Sequence, residues 1–76
     1  MTYYYQFEVL EAGVYDVTYT SPAFYGIEDE LGNHVNTVSV YYLDRYQLEP
    51  GIYYLKVFSD RTYIINYQIR VNQVLQ

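Results

Sequence analysis

The side chains best suited to chemistry in this chain are a single histidine, three serines and a surplus of carboxylates. His34 follows Asn33 at the edge of a predicted hairpin, where polar side chains commonly cap turns. A nucleophilic triad needs a serine, a histidine and an acid that converge, and nothing near Ser21, Ser39 or Ser59 along the chain would activate a hydroxyl. A hydrolase that uses two carboxylates needs a deep cleft, which a chain of 76 residues has little mass to build. The sequence therefore predicts no enzyme activity.

One acidic turn holds a local cluster of oxygen ligands, formed by Glu28, Asp29, Glu30 and Asn33. Calcium takes roughly six to eight oxygen ligands that converge on one point. Adjacent residues of a strand point to opposite faces of the sheet, so these side chains cannot all converge. The pattern favours a polar hairpin tip without a cofactor, and a calcium site at this turn is the alternative.

Thirteen tyrosines and three phenylalanines dominate the composition of the chain, which has no cysteine. Disulfide staples and cysteine-based zinc sites are therefore excluded, although a core of this size needs some source of added stability. Each aromatic ring can bury roughly 150–250 Å² while a tyrosine hydroxyl keeps a partner or water. We expect one domain over residues 1–76, without a linker or internal repeat, and a tyrosine-rich core close to solvent.

The charge balance argues against nucleic acid as a partner, and the lack of a long apolar stretch argues against a membrane. Nine carboxylates against four lysines and arginines give a formal net charge of −5. Binding to nucleic acid rests on clustered basic residues, whereas Arg45, Lys56, Arg61 and Arg70 are scattered. No apolar stretch approaches the length of a membrane span, and residues 1–20 alternate instead of showing a signal peptide. We expect neither nucleic acid nor a membrane as a partner.

Alternating apolar and polar residues predict about seven short strands and no helix. In the fourth strand, Val38, Val40 and Tyr42 share the apolar side and are expected to point inward. Turn signals every roughly eight to twelve residues indicate an antiparallel sandwich or a small barrel. The predicted strands span residues 3–9, 14–21, 24–29, 35–43, 46–48, 52–59 and 62–71.

Several motifs follow one another in a definite order along the chain. A Tyr-x-Phe-x-Val strand precedes a glycine turn, a second Tyr/Val strand, an Asp-x-x-Gly turn, the segment Leu-x-Pro-Gly-x-Tyr-Tyr-Leu-x-Val and a final Tyr-x-Ile-x-Val strand. The residues are Tyr5, Phe7 and Val9; Gly13; Tyr15, Val17 and Tyr19; Asp29 and Gly32; Leu48, Pro50, Gly51, Tyr53, Tyr54, Leu55 and Val57; and Tyr67, Ile69 and Val71. This order resembles the bacterial pre-peptidase C-terminal domain over nearly the whole chain.

The resemblance implies a jelly-roll-like β-sandwich of the kind appended to secreted proteases and other extracellular enzymes. The broad group includes collagen-binding modules of some bacterial collagenases, several of which bind calcium. On this basis the chain is expected to be an accessory module, located outside the cell or at its surface as part of a secreted parent.

Tyrosines on the faces opposite the core are the candidate binding residues. Alternation places Tyr4, Tyr41 and Tyr54 outward, with Phe58 on the strand face of Tyr54, and Tyr46 lies in a short edge segment. If these rings cluster, they can stack on a sugar or pack against a protein. The alternative is that they are covered within the fold or are isolated surface residues, which are common in soluble proteins.

Three functional hypotheses follow. In the first, the chain is a non-catalytic binding module that holds a secreted bacterial parent on a polymeric extracellular protein or polysaccharide through exposed tyrosines. In the second, it is a structural subunit that assembles with copies of itself into an oligomer or filament, through strand edges or aromatic faces. In the third, it is a small phage or viral interaction protein.

Overall fold

Seven strands form two antiparallel sheets in the computed structural model, which describes residues 2–19, 24–58 and 69–75. One sheet has the strand order β1-β6-β3-β4 and the other the order β5-β2-β7. The prediction of a small all-β antiparallel sandwich with about seven strands is confirmed. The strands are β1 (Thr2–Val9), β2 (Gly13–Tyr19), β3 (Phe24–Asp29), β4 (His34–Val35), β5 (Arg45–Leu48), β6 (Gly51–Phe58) and β7 (Ile69–Gln73).

The strand order gives the sandwich its jelly-roll-like character. Among the described strands, the chain crosses to the other sheet at every connection except the hairpin between β3 and β4. As a result β1 pairs with β6 along its whole length, and β3 pairs with the other edge of β6. Strands that are far apart in sequence are therefore neighbours in the sheets.

The core lies between the two sheets and receives side chains from both. Val9, Ile27 and Leu55 come from the four-stranded sheet, and Val17 and Leu48 from the three-stranded sheet. Period-two alternation explains this arrangement, because every second residue of a strand points to the same face. Half-buried rings surround these aliphatic residues, namely Phe7, Tyr15, Tyr19 and Tyr53.

Two crossings between the sheets lie side by side at one end of the sandwich. The first connects β1 to β2 and the second connects β5 to β6. Val9 is opposite Gly51 in one sheet, and Gly13 is opposite Leu48 in the other. The two crossings therefore run antiparallel to each other, and each passes from one sheet to its partner.

A tyrosine hydroxyl secures each crossing. The Tyr15 hydroxyl donates to the Glu11 carbonyl at 2.6 Å. The Tyr53 hydroxyl donates to the Glu49 carbonyl at 2.9 Å and accepts the Glu49 N–H at 3.2 Å. A hydroxyl bonded back to the backbone a few residues upstream is the tyrosine-corner arrangement of β-sandwiches.

The two crossings also share a sequence pattern. Residues 10–15 and 48–53 both read Leu-Glu-x-Gly-x-Tyr. This short pattern therefore recurs and forms the same corner twice. Alternation alone does not reveal the repeat, because the pattern spans a turn instead of a strand.

The prediction of a fourth strand over residues 35–43 is wrong over most of that range. β4 contains only His34–Val35, and the chain then leaves the sheet and continues to β5 as a loop. Val38, Val40 and Tyr42, for which alternation predicts an inward orientation, are exposed. Of the predicted last strand, residues 69–71 lie in β7, and residues 62–68 lie outside the described part of the chain.

Backbone hydrogen bonds to the three-stranded sheet explain why residues 36–44 do not extend β4. The Val38 N–H donates to the Arg45 carbonyl at 2.9 Å, and the Val17 N–H donates to the Asp44 carbonyl at 2.9 Å. These bonds tie the segment to β5 and β2 in the opposite sheet. A strand continuing along β3 would forgo both of them.

Replacing Tyr53 with Phe should lower the free energy of unfolding by about 1 kcal/mol, because the Glu49 N–H and carbonyl lose their partner. The ring itself is kept, and it stacks on Phe7 with the centroids 5.8 Å apart. Urea denaturation measures the change. Tyr41→Phe is the matched control and should change stability by less than about 0.5 kcal/mol, since that ring is exposed. Equal losses in the two variants would show that the corner bond adds nothing specific.

Candidate interaction site

The loop between β4 and β5 is the most continuous exposed apolar segment among the described residues, and we refer to residues 38–43 as the 38–43 loop. Val40, Tyr41 and Leu43 are 81%, 88% and 74% exposed, and Val38 and Tyr42 are about half exposed. Single exposed apolar residues are normal on a protein surface, whereas contiguous ones mark interaction sites. This loop is therefore the candidate functional site.

Hydrogen bonds around Ser39 give the loop a defined backbone. The Ser39 hydroxyl accepts the Tyr41 N–H at 3.0 Å, and the Ser39 carbonyl accepts the Tyr42 N–H at 3.1 Å. The Thr37 hydroxyl donates to the same carbonyl at 3.1 Å. These bonds form a turn, and the apolar side chains beyond it point into solvent.

An ion pair fixes the end of the loop to the three-stranded sheet. Arg45 donates to Asp16 through both Nε and Nη2, at 2.7 Å to Oδ1 and 3.1 Å to Oδ2. This two-point geometry is the favourable one for arginine and a carboxylate. The Arg45 guanidinium also lies 4.7 Å from the centroid of the Tyr42 ring, which adds a cation–π contact. One arginine thus holds a sheet residue and a loop residue together.

The ion pair changes the acid–base behaviour of its carboxylate. The hydrogen bonds from Arg45 lower the pKa of Asp16 below 3.8, burial opposes that change, and the charge of Arg45 adds to it. Asp16 is therefore ionised throughout the neutral range and keeps the loop anchored there.

A groove of about 260 Å³ lies beside the loop. Tyr42 and Leu43 form an apolar rim, and Thr18 and the Asp16–Arg45 pair form a polar wall. Val17 and Asp44 complete the lining. Tyrosine and arginine are the residue types that contribute most to protein interfaces. The loop and groove together offer an apolar tip beside a few polar groups.

The structure separates the three tyrosines that alternation predicts to point outward, Tyr4, Tyr41 and Tyr54. Tyr4 and Tyr54 share the outer face of the four-stranded sheet, where the registers Tyr4–Lys56 and Gln6–Tyr54 place them on a diagonal. Phe58 lies on the same strand face as Tyr54 and is half-buried. Tyr41 belongs to the 38–43 loop, which is bonded to β2 and β5. The three outward tyrosines therefore do not form one patch.

Tyr46 is a core residue, so the expectation that it is a binding residue is wrong. Its side chain is 2% exposed, because β5 pairs with β2 and its alternation directs Tyr46 and Leu48 inward. Burial raises the pKa of Tyr46 to about 12, and the negative charge of Asp44 and the neighbouring Tyr19 add to the effect.

In the acidic turn that is the alternative calcium site, the side chains of Asp29 and Glu28 bind other groups of the protein. Asp29 Oδ1 accepts the N–H groups of Leu31 and Asn33, each at 2.9 Å, and thereby orders the hairpin. Glu28 pairs with Lys56 at 3.5 Å, and Glu30 is exposed. Within residues 2–19, 24–58 and 69–75, no three histidine, cysteine, aspartate or glutamate side chains are grouped to hold a metal ion.

The candidate catalytic residues also have local surroundings that account for them. His34 lies opposite Glu28 in the hairpin register. Its ring lies close to Gly26. A Cβ atom added to residue 26 would be 3.0 Å from the imidazole Cε1, and the φ angle of Gly26 is +139°. Ser39 orders the 38–43 loop, and Ser21 and Ser59 lie outside the described residues.

The described residues contain no helix that is long and apolar enough to cross a membrane.

Replacing Asp16 with Asn should lower stability at neutral pH, and the difference from the wild type should shrink as the pH falls below 3.8. The folded-state pKa of Asp16 is lowered, so its stabilising effect is present above the unfolded pKa and is lost as the pH falls through the folded value. Urea denaturation across a pH series measures the difference. Arg45→Gln removes the donor and should show the same pH dependence. A difference that stays constant with pH would contradict the ion pair.

Comparisons with family models, with curated proteins and with solved structures give no match to this chain. The order of motifs is therefore the sole support for the resemblance to the pre-peptidase C-terminal domain.

Proposed function

We propose that this chain is a non-catalytic binding module that engages a partner protein through the 38–43 loop. The observation that carries the proposal is the exposure of Val40, Tyr41 and Leu43 on a loop with an ordered backbone. These side chains add little to the core, and the hydrogen bonds of Ser39 and the Arg45–Asp16 pair hold them outward. A fold that orders an exposed apolar segment in this way supports a binding role.

The chemistry of the loop favours a protein over a polysaccharide. Val40 and Leu43 are aliphatic and present no flat ring to a sugar, whereas aliphatic and aromatic side chains together suit the apolar centre of a protein interface. The loop contains no charged residue, although the chain as a whole carries −5. Depletion of charge is typical of the centre of such interfaces. Arg45 and Tyr42 at its base add two residue types that often dominate binding energy.

The setting of the module is a separate hypothesis. Placement in a secreted bacterial parent, and attachment of that parent to an extracellular polymer, rest on the order of motifs alone. Under this hypothesis the 38–43 loop would make the attachment.

Binding to insoluble polymers tests the proposal. We expect the wild type to be retained on fibrous collagen and not on cellulose or chitin, and Tyr41→Ala to weaken retention at least about tenfold. The reason is that removing a central tyrosine from an interface costs about 2 kcal/mol or more. Tyr4→Ala is the matched control, because it removes an exposed tyrosine from the outer face of the four-stranded sheet. That variant should bind like the wild type.

Three outcomes would contradict the proposal. The first is equal retention of Tyr41→Ala and the wild type. The second is retention on cellulose or chitin that is lost in Tyr4→Ala, since this would assign binding to the sheet face. The third is a loss of stability above about 1 kcal/mol in Tyr41→Ala, because the ring would then serve the fold.

A further inference from the structure

β1 is the open edge of the four-stranded sheet. Among the described strands, β1 pairs with β6 on one side and with none on the other. It has eight residues, contains no proline, lysine or glycine, and is exposed at residues 2–6. Proline and lysine are residues with which natural proteins block edge strands. β1 therefore keeps an edge on which a further strand can pair.

The other sheet edges are shorter or occupied. β4 has two residues, and β7 has five, one of which is Arg70. The edge of β5 is bonded to the segment that precedes it, because the Val38 N–H donates to the Arg45 carbonyl at 2.9 Å. Among the described strands, β1 is thus the longest one with an open edge.

The hairpin between β3 and β4 determines which backbone groups face each neighbouring strand. The Asp29 N–H donates to the Asn33 carbonyl at 2.9 Å, so the backbone groups of Asp29 face β4. Successive residues of an antiparallel strand direct their backbone groups to opposite neighbours. The groups of Glu28 therefore face β6 and bond to Tyr54, its partner in the register. The backbone groups of Tyr54 in turn face β3.

The same alternation continues from β6 to β1. Because Tyr54 faces β3, the next residue, Leu55, faces β1, where it is opposite Tyr5. Tyr5 therefore exchanges its backbone hydrogen bonds with β6. The residues of β1 whose N–H and carbonyl groups face the open edge are Thr2, Tyr4, Gln6 and Glu8.

The spacing of these groups identifies the kind of partner that fits them. Every second residue presents one donor and one acceptor, at intervals of about 7 Å along the strand. An extended peptide backbone repeats its own donors and acceptors at the same interval, so it can pair with all of them at once. A sugar chain or a folded apolar surface has no such repeat. The open edge of β1 therefore fits an extended protein segment.

Charge narrows the choice of segment. Glu8 is the one charged residue of β1, and its side chain is exposed. Glu11 and Glu49 are also exposed, and they lie on the two crossings at the end of the sandwich where β1 finishes. This end of the open edge is therefore acidic, on a chain whose net charge is −5. A basic segment is attracted to it, whereas an acidic one, including a second copy of this chain, is repelled.

We propose that β1 accepts an extended, basic segment of a partner protein as an added strand, bonded to the open-edge groups of Tyr4, Gln6 and Glu8. Tyr3, Tyr4 and Tyr5 are 42%, 52% and 46% exposed, and alternation places them on both faces of the strand. The added strand would thus find a tyrosine ring to pack against on each face. This contact lies on the four-stranded sheet and is a second surface, separate from the 38–43 loop.

Amide hydrogen exchange of the full chain, measured by NMR with a synthetic peptide, tests the added strand. The probe peptide has the length of β1, alternates valine with threonine and has a lysine at each end. It is N-methylated at alternate residues, so that only one of its edges can pair. We expect the N–H groups of Tyr4, Gln6 and Glu8 to exchange quickly in the free chain and at least about tenfold more slowly with saturating peptide. The Tyr5 N–H, which bonds to β6, should exchange slowly in both cases.

Two substitutions separate the backbone contact from the charge. Gln6→Pro removes a donor of the open edge and puts a ring in its place, so it should weaken peptide binding at least about tenfold. Gln6→Ala is the matched control, because it keeps the N–H, and it should bind like the wild type. Glu8→Gln should weaken binding by about twofold to fivefold, the effect of losing one exposed ion pair.

Several results would overturn the added strand. One is unchanged exchange of the three open-edge amides at millimolar peptide, and another is equal binding by Gln6→Pro and Gln6→Ala. If Gln6→Pro does not fold, a probe methylated at every residue replaces it, and binding of that probe would also overturn the contact. Protection that grows with protein concentration alone would make a second copy the occupant and overturn the assignment to another protein. The collagen experiment is unaffected by these results, because it compares Tyr41→Ala with Tyr4→Ala.

Discussion

The paired crossings at one end of the sandwich set the arrangement on which the rest of the structure depends. Val9 opposite Gly51 starts the register of β1 with β6, and Gly13 opposite Leu48 starts that of β2 with β5. Side chains alternate with a period of two, so a slip of one residue at either point would exchange the inner and outer faces of a strand. The hydroxyls of Tyr15 and Tyr53 restrain the backbone where such slips would begin.

The tyrosine content of the chain follows largely from the thin core. Fully buried positions are mostly aliphatic, and rings fill the rim, where a hydroxyl can reach a backbone carbonyl or water. Tyr15 and Tyr53 are structural in this sense, and Tyr46 lies in the core itself. Tyr41 differs from them, because it stands beside Val40 and Leu43 on the surface. The aliphatic neighbours distinguish the candidate site better than the number of tyrosines does.

Local alternation predicted the long strands and failed where distant contacts decide the structure. The predicted spans 24–29 and 52–59 agree with β3 and β6 to within about a residue. β6 keeps a period of two against the core through Leu55 and Val57, whereas the pairing of β3 with β6 shifts register between Phe24 and Gly26. The span 35–43 shows the same alternation, yet Arg45 binds Asp16 across 29 residues and draws the segment to the other sheet. No local pattern contains that pairing. The exposure of Tyr41 was predictable from alternation, whereas the exposure of Val40 was not.

The 38–43 loop holds its apolar side chains in solvent on an ordered backbone. The most direct measurement is the relaxation of methyl NMR signals by a soluble paramagnetic agent, at a dilution where the chain is monomeric. We expect strong relaxation at Val40 and Leu43, which are exposed, and weak relaxation at Val17 and Leu48, which are buried. Equal protection of all four residues would show that the loop packs onto the sandwich and is not an exposed binding surface.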